Sequence, residues 1–550
     1  MGTPGRGGWI SRRSGSAVDA ANGAGQTRQG PWRAFVGADR RAVLAQQPES
    51  KYHHLEGAER RVHVRERGVR ALGSNTGSRQ RVSPSKYGQH VVSEMTKETG
   101  IDRSALETVR NRETLTFTQR TQRSRELGVR ARRHLPNGVP MTWMSGLYRF
   151  PPVYVTHGEG PTFFDVDGNA YLDFNVCDLS MTMGYGPKPI VEAVSRAVKS
   201  GAHFLLPTED AIVVAEELAA RVGLPFWQFT LSASGANTEV MRIARVVTGR
   251  RKLAVFEGHY HGHFDEALVV RDDLGRPRAD LMGLPGGAAK HTVMLPFNDL
   301  AALEARLSRR DIALLLTEPA LTNCTLVKPA EGFLAGVREL TRRHGTLLCY
   351  DEAHTFQFAY GGLVGSWALD CDFVVLGKGL GTGVSFALYG MSDAVARIFT
   401  KYSDVDIGPK GIATGGTTYA SGVAAAAARA ALCEILTREG YATLNELGSR
   451  LAGGLACTFA RLGLPWTALH LGPRSGYCLQ AVAPRNGAEA GSSMDYDFID
   501  TRRLYLANRG IWDSVVSAGP QASFAHTAAD IDRYVAEAAL FLEEVIGGAR

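Results

Sequence analysis

The chain has 550 residues, of which 44% are hydrophobic, and it carries a formal net charge of +7. This length is enough for two or three domains with a sizeable core. Because no apolar run approaches the ~18 residues of a membrane-spanning helix, the sequence predicts a soluble protein with no membrane partner. The seven cysteines are scattered without a CxxC pair, which predicts free thiols in a reducing, cytoplasmic compartment.

The excess positive charge is confined to the N-terminal part of the chain. Residues 1–94 hold 16 basic and seven acidic residues, whereas the remainder holds 46 basic and 48 acidic residues. A nearly neutral body predicts no specific nucleic-acid partner, although a basic tail can bind polyanions weakly. The Gly, Arg, Ser and Gln content of residues 1–94 predicts a disordered basic tail. A misassigned start is the alternative interpretation, because Met95 opens the first helix-like stretch.

Helical and strand patterns follow one another from residue 96 onward. A helix-like stretch at 96–133 precedes three short strand patterns around the turn Asp167-Gly168, which predict a small antiparallel meander. Strands then alternate with helices, which is typical of a mainly parallel sheet with helices on both faces. The predicted helices are 189–200, 209–222, 236–248, 299–308, 332–344 and 421–437, and the predicted strands are 227–231, 252–256, 312–317, 346–350 and 373–376.

These patterns predict an α/β protein with a large domain and a smaller α+β domain built from the N- and C-terminal segments. The expected divisions are a basic tail at 1–94, an N-terminal helix and meander at 95–180, a large domain at 181–420 and a small domain at 421–550.

Asp351 and Lys378 are the most informative pair of residues. Each follows an apolar run where a buried strand ends, and small residues surround Lys378. Charges at the carboxyl ends of strands in an α/β sheet meet in the ligand crevice. A carboxylate and an amine held there suit pyridoxal phosphate (PLP), since the lysine forms the Schiff base and the aspartate keeps the pyridine nitrogen protonated. Two solvated loop charges are the alternative.

Three further segments suit the same cofactor. Ser232–Asn237 joins a strand to a helix, and it predicts either a phosphate seat with exposed amides and the Ser234 hydroxyl or an ordinary helix cap. Gly258–His263 offers Tyr260 for stacking on a pyridine, although its three alternating histidines leave metal binding as an alternative. Thr414–Thr418 is a loop with hydroxyls and amides that donates to a phosphate or only caps the next helix.

Together these motifs resemble the class III aminotransferases of PLP fold type I, especially the glutamate-1-semialdehyde aminomutase-like and β-amino-acid transaminase-like branch. The resemblance covers roughly residues 135–550. It is carried by Tyr260-His261-Gly262, Glu318-Pro319, Asp351-Glu352-Ala353, Leu376-Gly377-Lys378 and Gly416-Thr417.

The resemblance implies a role for each matching residue. Lys378 and Asp351 would be catalytic, with Lys378 bonded to PLP and Asp351 on its ring nitrogen. Tyr260 and Ala353 would lie against the two faces of the ring. The remaining cofactor contacts would be Ala233 and Ser234 on the phosphate, Thr417 from a neighbouring subunit, and Glu318 and Asn323 near the phenolic oxygen.

The chain departs from the family pattern at two motifs. Ala233 and Gly235 stand where the phosphate loop usually has Gly and Glu, and Ala353 stands where the aspartate motif usually has Val. Neither change removes a group that the cofactor chemistry requires. With both changes, the motifs do not identify the substrate.

The sequence therefore predicts a PLP-dependent aminotransferase that moves an amino group between an amino acid or amine and a keto acid, acting as a homodimer. An aminomutase is the first alternative, and a non-catalytic binding or regulatory protein is the alternative of another class. A dinucleotide enzyme is disfavoured because the glycines after Lys378 contain no GxGxxG. Arg474, with Arg149 as second choice, is the candidate for gripping a substrate carboxylate.

Overall fold

A computed structural model describes residues 99–271, 276–279, 283–285, 287–403, 411–515 and 518–547. The predicted tail at 1–94 and Met95 lie outside the described residues. The described residues belong to one compact unit that spans 83–550. Four sheets are built from these strands: β1 Val155–Glu159, β2 Thr162–Asp165, β3 Ala170–Asp173, β4 Phe226–Thr230, β5 Lys252–Phe256, β6 Val269–Arg271, β7 Pro277–Ala279, β8 Thr292–Leu295, β9 Ile312–Thr317, β10 Leu347–Asp351, β11 Phe373–Leu376, β12 Ala387–Met391, β13 Thr467–Leu471, β14 Arg474–Cys478 and β15 Ile511–Trp512.

The largest sheet has seven strands in the order β4-β12-β11-β10-β9-β5-β8. The central strand β10 pairs in parallel with β9 and β11, whereas β12 runs antiparallel to both of its neighbours. The sheet is therefore mainly parallel, as predicted. Every residue of β9, β11 and β12 is buried, which follows from helices covering both faces. β8 and β12 were not predicted, and the uniform burial of β12 removes the alternation that marks a half-buried strand.

Helices cover this sheet and build the smaller part of the molecule. The helix Glu209–Val222 has the predicted bounds, and five of the others differ from their predicted ranges. The described α-helices are Arg103–Arg120, Gln122–Ala131, Trp143–Gly146, Lys188–Lys199, Glu209–Val222, Ala233–Thr248, Ala288–His291, Leu300–Leu307, Phe333–His344, Gly362–Ser366, Asp393–Tyr402, Gly422–Ala430, Arg438–Arg461, Gly487–Ser492, Tyr496–Asn508 and Ala528–Val545.

Two predicted helices are interrupted, and side-chain capping explains both breaks. The first stretch breaks at Thr121, where the carboxylate of Asp167 accepts hydrogen bonds from the backbone N–H groups of Arg123 and Ser124 in the next helix. The alanine-rich helix ends at Ala430 and continues as a short π-helical turn. Thr437, which was predicted inside that helix, instead caps the following one by accepting from Gly440 N at 3.0 Å.

The smaller α+β part joins the two ends of the described chain. Strands β1, β2 and β3 form the predicted antiparallel meander, and β15 from the C-terminal region adds in parallel to β3. A cluster of buried side chains, including Phe117, Phe163 and Tyr171, packs against this sheet. The predicted division into an α/β body and a smaller α+β part is confirmed, while the residue boundaries of the domains stay a prediction. None of the described helices has the length and apolar content needed to cross a membrane.

Candidate active site

A cavity of about 350 Å³ lies at the carboxyl ends of β10 and β11. Because these strands are parallel neighbours, Asp351 pairs with Val375 and the chain beyond Leu376 reaches the same edge of the sheet. We call this space the Lys378 cavity. Eight predicted site residues line it: Ala233, Ser234, Tyr260, Glu318, Asn323, Asp351, Ala353 and Lys378.

Asp351 is a buried acceptor with well-defined partners. Its Oδ2 accepts hydrogen bonds from Asn237 Nδ2 and His261 Nδ1, both at 2.9 Å, and its Oδ1 accepts from Ala353 N at 3.0 Å. Burial raises the pKa of Asp351, but the hydrogen bonds from His261 and Asn237 outweigh it, so the pKa lies below its usual value. The side chain is therefore an ionised carboxylate at neutral pH, suited to face a protonated ring nitrogen.

Asn237 and His261 were not assigned as site residues from the sequence. Both lie in segments that the sequence indicates as cofactor candidates, Ser232–Asn237 and Gly258–His263. The sequence does not indicate that either residue contacts Asp351. Asn237 is fully buried on the helix Ala233–Thr248, and His261 is 2% exposed. Only the folded chain brings their nitrogen atoms to Asp351.

Lys378 directly follows Gly377 at the end of β11, in a short 3₁₀ turn, with a backbone φ of +49°. Such a left-handed conformation is uncommon for a lysine and is found where the surrounding structure imposes it. Its Nζ donates to Asp178 Oδ2 at 2.6 Å. Asp178 also lines the cavity, and it was not identified from the sequence.

The N-terminus of the helix Ala233–Thr248 opens into the cavity. Ser232 caps this helix by accepting from Gly235 N at 3.1 Å, and Ser234 Oγ accepts from His263 N at 3.0 Å. The close approach of the two segments requires Gly262, whose φ is +95° and whose added Cβ would lie 2.1 Å from Ser234 Oγ. Backbone N–H groups and two hydroxyls at a helix N-terminus suit a phosphate.

The segment Gly258–His263 is a loop, not a regular strand. Tyr260 is half-exposed and lines the cavity, whereas both ring nitrogens of His259 contact the backbone carbonyls of Phe256 and Ala267. His261 contacts Asp351, so these two histidines serve different partners. In the described part of the chain, no group of three or more His, Cys, Asp or Glu residues is arranged to hold a metal.

A polar cluster closes another side of the cavity. Glu318 accepts hydrogen bonds from Thr322 Oγ1, from Thr322 N at 3.2 Å and from Asn323 Nδ2 at 3.2 Å. Burial raises the pKa of Glu318 despite these bonds. His354 also lines the cavity, and its Nδ1 lies 2.6 Å from Thr322 Oγ1. Burial, together with the charges of Lys378 and Arg474, holds the pKa of His354 well below its usual value. His354 was not identified from the sequence.

Three other predicted residues lie outside the cavity wall. Thr417 is exposed, Arg149 pairs with Asp497 and Asp500 at 2.7 Å each, and neither lines the Lys378 cavity. Arg474 begins β14, is 1% exposed and donates from Nη1 to Thr322 O at 2.8 Å. The fold thus gives both arginines intramolecular partners, and a substrate role for either stays a prediction.

The cavity residues fit PLP in the chemistry of their groups. An ionised carboxylate, a primary amine and a helix N-terminus with hydroxyls lie around one space, matching the ring nitrogen, the aldehyde and the phosphate of that cofactor. Tyr260 supplies an aromatic side chain at the same wall.

Comparison with known proteins agrees with this geometry. Residues 145–459 match the family "Aminotransferase class-III". A glutamate-1-semialdehyde 2,1-aminomutase from Staphylococcus carnosus is 31% identical to this chain. The match covers 75% of this chain and 96% of the length of that protein.

Solved structures give the same result. A glutamate-1-semialdehyde-aminomutase from Pseudomonas aeruginosa PAO1, in complex with PMP, is 36% identical with a TM-score of 0.78, over 81% of this chain and 100% of its own. An omega-transaminase from Sphaerobacter thermophilus is 29% identical with a TM-score of 0.71, over 76% of this chain and 97% of its own. The chain therefore belongs to the class III aminotransferases, which are PLP-dependent enzymes of fold type I.

Proposed function

We propose that this enzyme transfers an amino group from an amine or amino acid to a separate keto acid by a ping-pong reaction. The supporting observation is the charge of the Lys378 cavity. Of the described residues that line it, Lys378 is the only lysine or arginine, and Asp178 adds a carboxylate beside it. A wall of this kind suits an amine cation at the reacting carbon, with any substrate carboxylate held farther from Lys378.

Each residue has a task that follows from its position. The bound cofactor supplies an electron sink for the pair released when the substrate C–H bond breaks. With the cofactor bound, Lys378 Nζ would take the proton from the substrate carbon and deliver it again when the product is protonated. Asp351 keeps the ring nitrogen protonated, because its lowered pKa leaves it ionised. Ser234 and the amides of its helix hold the phosphate.

A glutamate-1-semialdehyde-type 2,1-aminomutase is the second candidate. It is favoured by relatives of that name at 31–35% identity. The same Lys378 and Asp351 would serve it, since a mutase moves the amino group within one molecule. A non-catalytic binding protein is not supported, because the chain belongs to an enzyme family and retains Lys378.

We also propose that the enzyme works as a homodimer in the cytoplasm. Thr417 lies exposed outside its own cavity, as a residue that reaches a neighbouring subunit's phosphate would. The exposed apolar side chains of Phe204, Leu205 and Leu206 offer surface to bury against a partner. All seven cysteines are unpaired, which suits a reducing compartment.

The reaction is tested with the purified, PLP-loaded enzyme and a set of amino donors, followed by visible absorbance. A transaminase bleaches the PLP band, releases a keto or aldehyde product and recovers the band only when a separate acceptor is added. Continuous turnover of one substrate without such a product would replace this proposal with the mutase.

A further inference from the structure

Asp178 is a charged group in the Lys378 cavity that the proposed reaction leaves without a task. Its Oδ2 lies 2.6 Å from Lys378 Nζ, and both side chains are about one-fifth exposed to the cavity. It therefore touches the nitrogen at which amino exchange takes place. The carboxylate already assigned to the cofactor, Asp351, is held by Asn237 and His261 instead.

The backbone around Asp178 has an unusual conformation that other side chains hold in place. Residues Val176, Cys177, Asp178 and Leu179 have successive φ values of +44°, +50°, +52° and +71°, a left-handed turn that L-residues disfavour. The buried carboxylate of Asp173 holds this turn by accepting from the N–H groups of Asn175 and Val176, both at 2.9 Å, and from Cys177 N at 3.3 Å. The hydroxyl of Tyr185 donates to the same carboxylate at 2.7 Å. Strained backbone held in this way is typical of functional positions.

We propose that Asp178 is the counter-ion of whichever nitrogen occupies the Lys378 Nζ position during the reaction. This inference rests on the proposed function. With Lys378 joined to the cofactor, Asp178 would be the carboxylate beside the linking nitrogen and would stabilise its protonated form. When an amino donor arrives as an ammonium ion, the same carboxylate holds it beside the reacting carbon.

The same carboxylate selects against an anion at the reacting carbon, in the donor and in the keto acid alike, and so favours a keto acid whose carboxylate lies farther from its carbonyl. In an α-amino acid the carboxylate lies roughly 3 Å from the amino nitrogen. It would therefore approach Asp178, and two like charges at such separation repel. Amines without that carboxylate meet no such repulsion.

Among the titratable groups around the pair, five keep one charge state between about pH 6 and 9. Burial raises the pKa of Tyr260, raises that of Cys177 to about 12, and lowers that of Arg474 to about 10. Burial also holds the pKa of His354 well below its usual value, and Asp351 stays ionised. Three buried carboxyls titrate closer to this range, since burial raises the pKa of Asp173 to about 6, that of Glu352 to about 8 and that of Glu318 above its usual value. All three are present in wild type and in Asp178→Asn, so the difference between the two titrations reports the linking nitrogen.

The test is a pH titration of the visible absorbance of PLP-loaded enzyme, which needs no substrate. Asp178→Asn removes the charge and retains a residue type that tolerates positive φ. Without the negative charge the linking nitrogen should lose its proton at a pH lower by about one unit or more. Asp311→Asn is the matched control, because Asp311 also pairs with a lysine, Lys252 Nζ at 2.7 Å, beside the opposite ends of β5 and β9.

The outcomes separate this inference from the proposed function. If Asp178→Asn and wild type titrate at the same pH, the inference is wrong while the proposed function stands. If wild type with PLP shows no visible band, the proposed function itself fails. Should Asp178→Asn not load PLP, Asp178→Gly keeps the positive φ and removes the charge. Failure of both to load, with Asp311→Asn loading normally, also overturns a counter-ion role.

Specificity gives a second readout with a matched pair of donors. Isopropylamine and alanine differ in one substituent of the reacting carbon, which is a methyl group in isopropylamine and a carboxylate in alanine. Asp178→Asn should raise the ratio of kcat/KM for alanine over isopropylamine by about tenfold. An unchanged ratio in the presence of measurable turnover would contradict the selection against α-amino acids.

Discussion

Lys378 is the side chain on which the proposed reaction depends most directly. Lys378→Ala should fold and retain PLP without a covalent bond, because the proposed phosphate contacts, Ser234 and the N-terminus of its helix, do not involve the lysine. It should lose the absorbance of the Schiff base and nearly all turnover, since the proton carrier is gone. Absorbance spectra and a phosphate assay of bound cofactor check this. Full activity in Lys378→Ala would refute both the transaminase and the mutase.

Arg474 remains the candidate for holding a substrate carboxylate. Its Nε is buried without a hydrogen-bond partner, so one nitrogen of the guanidinium has no partner among the described residues. If Arg474 holds a substrate carboxylate, Arg474→Lys should weaken the binding of carboxylated acceptors. The loss of binding free energy, roughly 1.5–3 kcal/mol, should appear as a higher KM. The comparison is KM for a keto acid against KM for an aldehyde without a carboxylate. An equal change for both, with a lower Tm, assigns Arg474 to packing alone.

Glu352 makes stability depend on pH. Its Oε1 accepts from Val364 N at 3.1 Å and from Thr355 Oγ1 at 3.1 Å, whereas its Oε2 is buried without a partner. Burial raises its pKa to about 8. The folded state therefore binds a proton that the unfolded state releases near pH 4.5, so stability falls as pH rises from about 4.5 to 8.

Glu352→Gln should remove this dependence, because glutamine keeps the acceptor oxygen and has no charge to desolvate. Relative to wild type, the variant should gain about 1.4 kcal/mol of stability for each pH unit across that window. Thermal unfolding midpoints at pH 5, 6, 7 and 8 provide the measurement. Parallel curves for the two proteins would show that Glu352 does not titrate there.

At the scale of elements, the contact between the loop Gly258–His263 and the helix Ala233–Thr248 shapes the phosphate end of the cavity. Gly262→Ala adds a Cβ 2.1 Å from Ser234 Oγ, so the loop must move away from the helix. We expect PLP affinity to fall about tenfold or more, as loss of a charge-assisted hydrogen bond does. Equilibrium dialysis of PLP measures it.

Gly223→Ala is the matched control for that substitution. Gly223 has a φ of +90°, close to the +95° of Gly262, but nothing lies within 4 Å of an added Cβ. Both variants therefore carry the backbone cost of about 1 kcal/mol, and only Gly262→Ala crowds the phosphate seat. Equal PLP affinities in the two variants would show that the contact is unimportant.

At the scale of the whole molecule, the enzyme's body is expected to be independent of its basic extension. Deletion of residues 1–94 should leave folding, PLP content and turnover unchanged, because that segment is poor in apolar residues that form a core. Gel filtration, the PLP-to-protein ratio and kcat check this in one preparation. Precipitation of the shortened protein, or loss of its cofactor, would contradict the expectation.

The sequence by itself determined the parts of the fold and site that are local. Strands such as β5, β9 and β11 are uninterrupted apolar runs, so their bounds follow from the pattern alone. Asp351 and Lys378 were identifiable because each follows such a run, and parallel strands bring their ends together. The segment Gly258–His263 also indicated Tyr260, and the family resemblance then supplied Glu318 and Asn323. All three line the cavity.

Only the tertiary structure decided the contacts between segments far apart in the chain. Asp178 meets Lys378 across 200 residues, and His261 meets Asp351 across 90. His261 lies in a motif visible in the sequence, but its partner follows only from the fold. Arg474 was a candidate because a guanidinium can hold a carboxylate bidentately, and only the fold shows that it begins β14 and donates to Thr322 O. Local propensity sets where strands and helices form, whereas the partners of a charge depend on which elements the packed core brings together.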